Sequence, residues 1–127
     1  MLTVADTILI PTHSNPIRHL WIILAKAKQN PEEAIIVNIT TQRSDSDKTT
    51  ILKPSEHPFI KHTSNVNFAD ARIANIKHLE KAVRKEIAIK KDPLSANLLN
   101  KIQKGLLKSP HTPNKIKKLL IETLKHN

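Results

Sequence analysis

The sequence predicts an α+β fold in which short strands come first and helices come last. Two observations support this prediction: β-branched runs dominate residues 1–76, and apolar stripes with helical spacing dominate residues 77–127. A chain of 127 residues is the usual size for one domain around one core. We therefore expect a single domain over 1–127, with a barrel of strands over 1–76 and a helical, basic part over 77–127.

Apolar runs in the first half of the chain predict strands. Residues 7–10 and 20–24 are rich in isoleucine, and residues 11–16 between them are predicted to form a loop. Residues 34–41, AIIVNITT, give the clearest strand, because most of its positions are β-branched. The polar residues 42–48 that follow are predicted to form an exposed loop.

Residues 49–76 give a less regular pattern. Short strands are predicted at 49–52 and 59–60, separated by Pro54 and Pro58. Residues 66–76 fit either a pair of strands or the start of a helix, because their last apolar positions also keep helical spacing. Altogether we expect five or more mostly antiparallel strands within residues 4–76.

At least two helices are predicted to follow. Asp92-Pro93 supplies an N-cap with proline at the first helical position, and Thr112-Pro113 repeats this signal. An apolar stripe follows each start signal. The first stripe comprises Leu94, Leu98, Leu99, Ile102 and Leu106, and the second comprises Ile116, Leu119, Leu120 and Leu124.

The net charge of +10 is unevenly distributed. Residues 1–76 carry eight Lys/Arg against seven Asp/Glu, whereas residues 77–127 carry thirteen against four. A basic half of this kind is typical of a protein with a polyanionic partner, usually nucleic acid, although solvated lysines on helix surfaces give the same count. With only three aromatic residues, Trp21, Phe59 and Phe68, the chain is not expected to stack bases on an aromatic sheet. RNA would be held through phosphates and polar contacts.

Composition excludes several classes of site. Without cysteine the chain has no disulfide, no thiolate zinc site and no thiol nucleophile. No apolar run reaches the roughly 18–20 residues that span a bilayer, and the N-terminus lacks the pattern of a signal peptide. We therefore expect a cytoplasmic protein with no membrane partner.

Residues 56–64, EHPFIKHTS, place two histidines, a lysine and a serine around a short apolar turn. His57 and His62 would lie on opposite faces of a strand, and Pro58 argues against a helix, so a zinc site is not expected. Two interpretations stay open. Either Phe59 and Ile60 enter the core while the histidines stay at its rim, or the segment forms a polar cluster beside a bound phosphate.

Four short motifs occur in an order that carries a family resemblance. They are Ala5-Asp6, Arg18-His19, Ile39-Thr40 and Ser64-Asn65-Val66. Their order over roughly residues 4–107 resembles the MazF/PemK/Kid family of toxins, with His19 in place of the family's proline. The resemblance implies a small SH3-like β-barrel followed by C-terminal helices, usually as a homodimer. It also implies cleavage of single-stranded RNA without metal or cofactor, and inhibition by a cognate antitoxin protein.

The chemistry implied by the resemblance assigns roles to individual residues. The ribose 2′-OH attacks the adjacent phosphate, which requires a base, a proton donor and positive charge. Arg18 would stabilise the charge and Thr40 would bind a phosphate oxygen, with His19 as the alternative catalytic residue because imidazole exchanges protons near neutral pH. The residues predicted to bind RNA are Thr41, Arg43, His57, Lys61, His62 and Ser64.

A non-catalytic binding module is the alternative prediction. In that case the strands would be a scaffold, and the basic C-terminal helices would bind nucleic acid or an acidic protein. The two hypotheses differ in geometry. If Arg18, Thr40 and the turn at 56–62 converge on one cleft, the enzyme is favoured; if they are scattered while the lysines cluster, binding alone is favoured.

Overall fold

The computed structural model describes residues 1–12 and 15–125, with the backbone alone for residues 12 and 15–18. Five strands are followed by a helix, a sixth strand and two further helices. The strands are β1 (Thr7–Thr12), β2 (Asn15–Lys26), β3 (Glu33–Thr41), β4 (Ile51–Leu52), β5 (Ser64–Asn75) and β6 (Ile89–Lys91). The helices are α1 (Ile76–Arg84), α2 (Ala96–Lys108) and α3 (Asn114–Lys125). The α+β prediction is confirmed.

All six strands belong to one antiparallel sheet with the order β4-β5-β3-β2-β1-β6. The sheet is curled into a half-barrel, and β4 and β6 form its two edges. β6 returns to the sheet after α1 and pairs with β1, so that Ile8 lies opposite Lys90. Five strands within residues 4–76 and at least two later helices agree with the prediction.

The central strands are buried on both faces, which explains their continuous apolar runs. On one face Ile35 and Val37 of β3 pack in a cluster that includes Ile102 of α2. Ile36 points the other way, into a second cluster with Ile76 of α1. The sheet is therefore covered by α2 and α3 on one face and by α1 on the other.

α2 packs tightly against its neighbours at Gly105, the only glycine of the chain. A Cβ at this position would overlap Thr50 Oγ1 and would lie 2.9 Å from Phe68 Cζ. Both neighbours are buried. Glycine is required here because a larger residue would push α2 away from the sheet.

The strand predictions are confirmed at 7–10, 20–24 and 34–41, and residues 42–48 form a loop. The loop predicted at 11–16 is wrong at both ends, because β1 continues to Thr12 and β2 begins at Asn15. The pairing of β1 with β2 extends past Pro11, and its register shifts between Pro11 and Thr12.

Residues 59–60 are not a strand. They lie in a turn after the 3₁₀ helix Pro54–Glu56, where prolines prevent a regular strand ladder. Residues 66–75 form one strand rather than two, and α1 begins at Ile76 after the N-cap Asn75, whose Oδ1 accepts a hydrogen bond from His78 N at 3.1 Å.

α2 begins later than predicted. Its N-cap is Ser95 rather than Asp92, and Ser95 Oγ accepts a hydrogen bond from Leu98 N at 3.1 Å. The Asp92 carbonyl is instead the partner of Thr7 and His57, which keeps this segment beside the sheet. α3 begins at Asn114, one residue later than predicted, and the Thr112 hydroxyl donates to Leu106 O at 2.7 Å. Within the described residues, no helix is both long enough and apolar enough to cross a membrane.

Candidate functional site

A cavity of about 740 Å³ opens where β3 ends and β5 begins, and we call it the basic cleft. Its walls come from three neighbouring strands and two loops, which antiparallel pairing brings together: Leu20 lies opposite Ile39, and Thr41 lies opposite Ser64. The lining residues are His19, Leu20, Ile39, Thr40, Thr41, Arg43, Ser46, Phe59, Ile60, Lys61, His62 and Ser64.

Seven of the nine residues predicted to form the site line this cleft. They are His19, Thr40, Thr41, Arg43, Lys61, His62 and Ser64. The side chain of Arg18 lies outside the described residues, and its backbone belongs to β2 opposite Pro11. His57 does not line the cleft. The convergence that separates the two functional hypotheses is therefore present for Thr40 and the Phe59–His62 part of the turn.

The described lining of the cleft contains cationic and neutral side chains but no carboxylate. Arg43, Lys61 and His62 are exposed, and His19 is half-buried. Guanidinium, ammonium and imidazole groups are the side chains that bind phosphate oxygens. With no anionic side chain among these lining residues to neutralise them, the cleft is suited to an anionic ligand.

The hydroxyl of Thr40 is already engaged. Thr40 Oγ1 donates a hydrogen bond to Asn65 Oδ1, which lies opposite it on β5, at 3.2 Å. In this arrangement the hydroxyl proton is committed to Asn65, and a phosphate oxygen would have to replace Asn65 as its recipient. Ser64 Oγ likewise donates to His62 O at 2.8 Å, so this buried serine fixes the turn rather than presenting its hydroxyl.

His57 stabilises the turn from outside the cleft. Its Nδ1 accepts a hydrogen bond from Phe59 N at 3.0 Å, so the proton must lie on Nε2, which donates to the Asp92 carbonyl at 2.6 Å. The ring is only 4% exposed. His57 therefore ties the turn to the segment after β6, and its predicted RNA contact stays a prediction for a buried ring outside the cleft.

The two interpretations of the turn are each partly right. Ile60 enters the core at 3% exposure and His62 stays outside, as the first interpretation expects. Phe59 is 37% exposed and His57 is buried, which that interpretation had reversed. The polar-cluster interpretation describes the side of the turn that carries Lys61 and His62.

The loop that carries Arg43 is held by a network of short hydrogen bonds. Arg43 N donates to Ser46 Oγ at 2.8 Å, and Thr49 N donates to Asp47 Oδ1 at 2.9 Å. Ser109, at the end of α2, donates its hydroxyl to Asp47 Oδ2 at 2.6 Å. Partial burial acts to raise the pKa of Asp47, but the hydrogen bonds from Ser109 and Thr49 outweigh it and hold the pKa below its ordinary value of 3.8.

Sequence reasoning missed Phe59 and the Asp47–Ser109 contact. Phe59 lies next to a proline in an apolar pair, so the sequence alone places it in the core. The Asp47-x-Thr49 spacing is a turn signal that could have predicted the hydrogen bond within the loop. Among the described residues, no three His, Cys, Asp or Glu side chains lie close enough to hold a metal ion.

Comparison with known proteins gives no match: no family model, no curated protein and no solved structure is significantly similar to this chain. Function is therefore inferred from the cleft and from the resemblance of the short motifs.

Proposed function

We propose that the basic cleft binds the sugar–phosphate backbone of single-stranded RNA and cleaves it without a metal ion. The observation that supports this proposal is convergence: His19 of β2 and Thr40 of β3 share one cavity with Arg43, Lys61 and His62. These residues come from three separate segments of the chain, at 19, 40–43 and 61–62. A set of cations and imidazoles drawn from distant segments into one concave site is typical of an active site.

The proposed reaction is an internal transfer of the phosphate. The ribose 2′-oxygen attacks the neighbouring phosphorus, its proton passes to one imidazole, and the other imidazole protonates the departing 5′-oxygen. The P–O2′ bond forms as the P–O5′ bond breaks, which leaves a 2′,3′-cyclic phosphate and a 5′-hydroxyl. His19 and His62 carry these two protons, because they are the imidazoles that line the cleft.

Positive charge on the phosphorane is the second requirement of this chemistry. Arg43 and Lys61 supply it from the rim of the cleft. Arg18, which precedes His19 in β2, keeps the role of charge stabiliser that the MazF/PemK/Kid resemblance implies. Thr40 orients a phosphate oxygen or holds Asn65 in place for it.

A single strand suits the cavity better than a duplex. A volume of about 740 Å³ lies within the range of roughly 300–1,000 Å³ that is typical of small-ligand sites. The apolar residues Leu20, Ile39 and Ile60 also line it, which gives bases or sugars an apolar wall beside the cations. Unpaired nucleotides can insert into such a cavity, whereas a stacked helix cannot.

The resemblance extends the proposal to assembly and regulation. We assign the half-barrel sheet to the SH3-like barrels, and we expect a homodimer that acts on RNA in the cytoplasm and is neutralised by a cognate antitoxin. Expression of the chain should arrest growth of its host cell, and co-expression of the neighbouring gene should relieve the arrest.

The direct test is cleavage of a single-stranded RNA in the presence of a chelator. We expect fragments that end in 2′,3′-cyclic phosphate, identified by mass spectrometry. A matched oligonucleotide with 2′-deoxyribose throughout should stay intact, because it lacks the nucleophile. The His19→Ala/His62→Ala double variant, purified in parallel, controls for contaminating ribonuclease. Equal cleavage of the deoxy oligonucleotide, or loss of activity with chelator, would contradict the proposal.

A further inference from the structure

A second, smaller cavity of about 320 Å³ adjoins the basic cleft. It is lined by His57, Pro58, Phe59, Lys61, Lys91 and Asp92. Phe59 and Lys61 line both cavities, so the turn before β5 forms the ridge between them. A ligand that leaves the basic cleft across this ridge enters the second cavity.

Phe59 is unusual because it is the exposed aromatic residue of the chain. Its exposure is 37%, whereas Trp21 and Phe68 are buried. The backbone on both sides is fixed: Phe59 N donates to His57 Nδ1, and the next residue, Ile60, is anchored in the core. A solvent-facing ring on a rigid turn loses little entropy on binding, and such rings stack unpaired bases.

Lys91 reaches the second cavity because of its register in β6. Lys91 lies opposite Thr7 of β1, and its neighbour Lys90, opposite Ile8, points to the other face of the sheet. There Lys90 forms an ion pair with Asp6 Oδ2 at 3.6 Å. Two adjacent lysines therefore have different roles, and Lys91 alone of the two lines the cavity.

The charges of the second cavity suit a nucleotide rather than an isolated phosphate. Lys61 and Lys91 contribute two positive charges, and Asp92 contributes one negative charge. A carboxylate repels a bare phosphate but accepts hydrogen bonds from the N–H groups of a base. An aromatic ring, two ammonium groups and one acceptor together match one base and its phosphate.

We propose that this cavity is a second nucleotide subsite, in which a base stacks on Phe59 while its phosphate binds Lys61 and Lys91. The inference rests on the proposed function and extends it: single-stranded RNA runs from the basic cleft, over Phe59, to the edge strand β6. RNA long enough to span both cavities should bind more tightly than RNA that fills the basic cleft alone.

Stacking on Phe59 can be measured with 2-aminopurine, whose fluorescence is quenched when it stacks. Uncleavable 2′-O-methyl oligonucleotides with the label at successive positions are titrated with the protein. We expect strong quenching at one position. Phe59→Leu should abolish this quenching and weaken binding roughly 5- to 150-fold, as expected for the loss of one base stack. Phe59→Tyr should keep both, and Ile121→Ala, at another exposed apolar residue, should change neither.

The phosphate contact is tested with the adjacent lysines. Lys91→Gln should weaken binding and lower the salt slope of log K by about 0.7, the value for one phosphate contact to a single strand. Lys90→Gln is the matched control and should leave the slope unchanged.

The outcomes separate this inference from the proposed function. If Phe59→Leu and Lys91→Gln bind RNA like the unmodified protein while Lys61→Gln does not, the second subsite is wrong and the basic cleft stands. If quenching and salt slopes behave as expected but no RNA is cleaved, the subsite stands and the proposed catalysis is wrong. If no RNA binds, both are wrong.

Discussion

The two basic regions of this protein differ in how their charges are arranged. Residues 77–127 hold most of the net charge, yet several of its lysines already have partners: Lys101 Nζ contacts Ile51 O at 2.8 Å and Glu56 at 3.2 Å, and Lys77 pairs with Glu32 at 2.8 Å. The basic cleft holds fewer cations, but they share one cavity with two imidazoles. Net charge thus indicates the kind of partner, whereas the convergence of side chains indicates where on the protein that partner would bind.

Under the proposed function, the two regions would serve different steps. Dispersed lysines on helices would act over a Debye length and would raise the rate at which RNA arrives, with a strong dependence on salt. The cleft would act at contact distance, where the position of each proton and charge would decide the rate of cleavage. Variants in each region should therefore alter different measured quantities.

The largest effect is expected from the imidazoles of the cleft. His19→Ala or His62→Ala should lower the single-turnover cleavage rate by about 10²- to 10⁴-fold, the usual contribution of general acid–base catalysis. His78→Ala, at an exposed histidine of α1, is the matched control and should keep the full rate. A loss at His78 equal to that at His19 would contradict the assignment of catalysis to the cleft.

The next largest effect is expected from Gly105→Ala, because it separates α2 from the sheet without changing a charged side chain. The added methyl group overlaps Thr50 Oγ1, and overpacking of this kind costs about 1–3 kcal/mol. We expect a fall in Tm of several degrees by calorimetry. Adding Thr50→Ala should restore part of the stability, because it removes Oγ1, the nearest of the atoms that the methyl group meets. No rescue by the second substitution would show that another neighbour is responsible.

A moderate effect is expected from the lysines of α3. Replacing Lys115, Lys118 and Lys125 by glutamine should weaken RNA binding at low salt and flatten its dependence on salt, because the slope falls by about 0.7 for every phosphate that is no longer neutralised. The single-turnover cleavage rate at saturating protein should stay the same. Unchanged affinity and slope would mean that the helices do not contribute to RNA capture, and a much lower cleavage rate would move the active site to the helices.

The smallest effect is expected for the pH dependence of stability. It arises at the Asp47–Ser109 contact, which joins α2 to the loop carrying Arg43. Since the pKa of Asp47 is lowered in the folded protein, its contribution to stability is present above about pH 3.8 and disappears as the pH falls through the lowered value. Asp47→Ala should therefore lower Tm at pH 6, and the difference from the unmodified protein should shrink toward pH 3. A difference that is constant with pH would mean that the charge of Asp47 does not matter.

Much of the fold follows from the apolar pattern of the sequence. The β-branched runs of the strands and the apolar stripes of the helices are both clear where the elements are deeply buried. The isoleucine runs of β1, β2 and β3 and the stripes of α2 and α3 lie in or against the two clusters that cover the sheet, except for the exposed Leu124. β6 could not be predicted from the sequence, because its three residues are exposed and two of them are lysines. Its position depends on pairing with β1, which no local pattern encodes.

The candidate site could likewise be predicted only in part from the sequence. Thr40 and His19 could be proposed because they belong to short motifs at the borders of the strands predicted at 34–41 and 20–24. The burial of His57 and the exposure of Phe59 could not be predicted, because they depend on a hydrogen bond from the imidazole to the Asp92 carbonyl. Asp92, whose carbonyl is held by His57 and Thr7, is also not the N-cap of α2, which is Ser95.

The late return of β6 to the sheet has a consequence for the order of events during synthesis. When the ribosome has made β1 to β5, the strands of the cleft already exist, but β1 still lacks its outer neighbour and His57 still lacks its carbonyl partner at Asp92. Contacts that join distant parts of a chain form last. The turn that carries Lys61 and His62 is therefore secured only after Asp92 has emerged, so under the proposed function a nascent chain would not cleave RNA before that point.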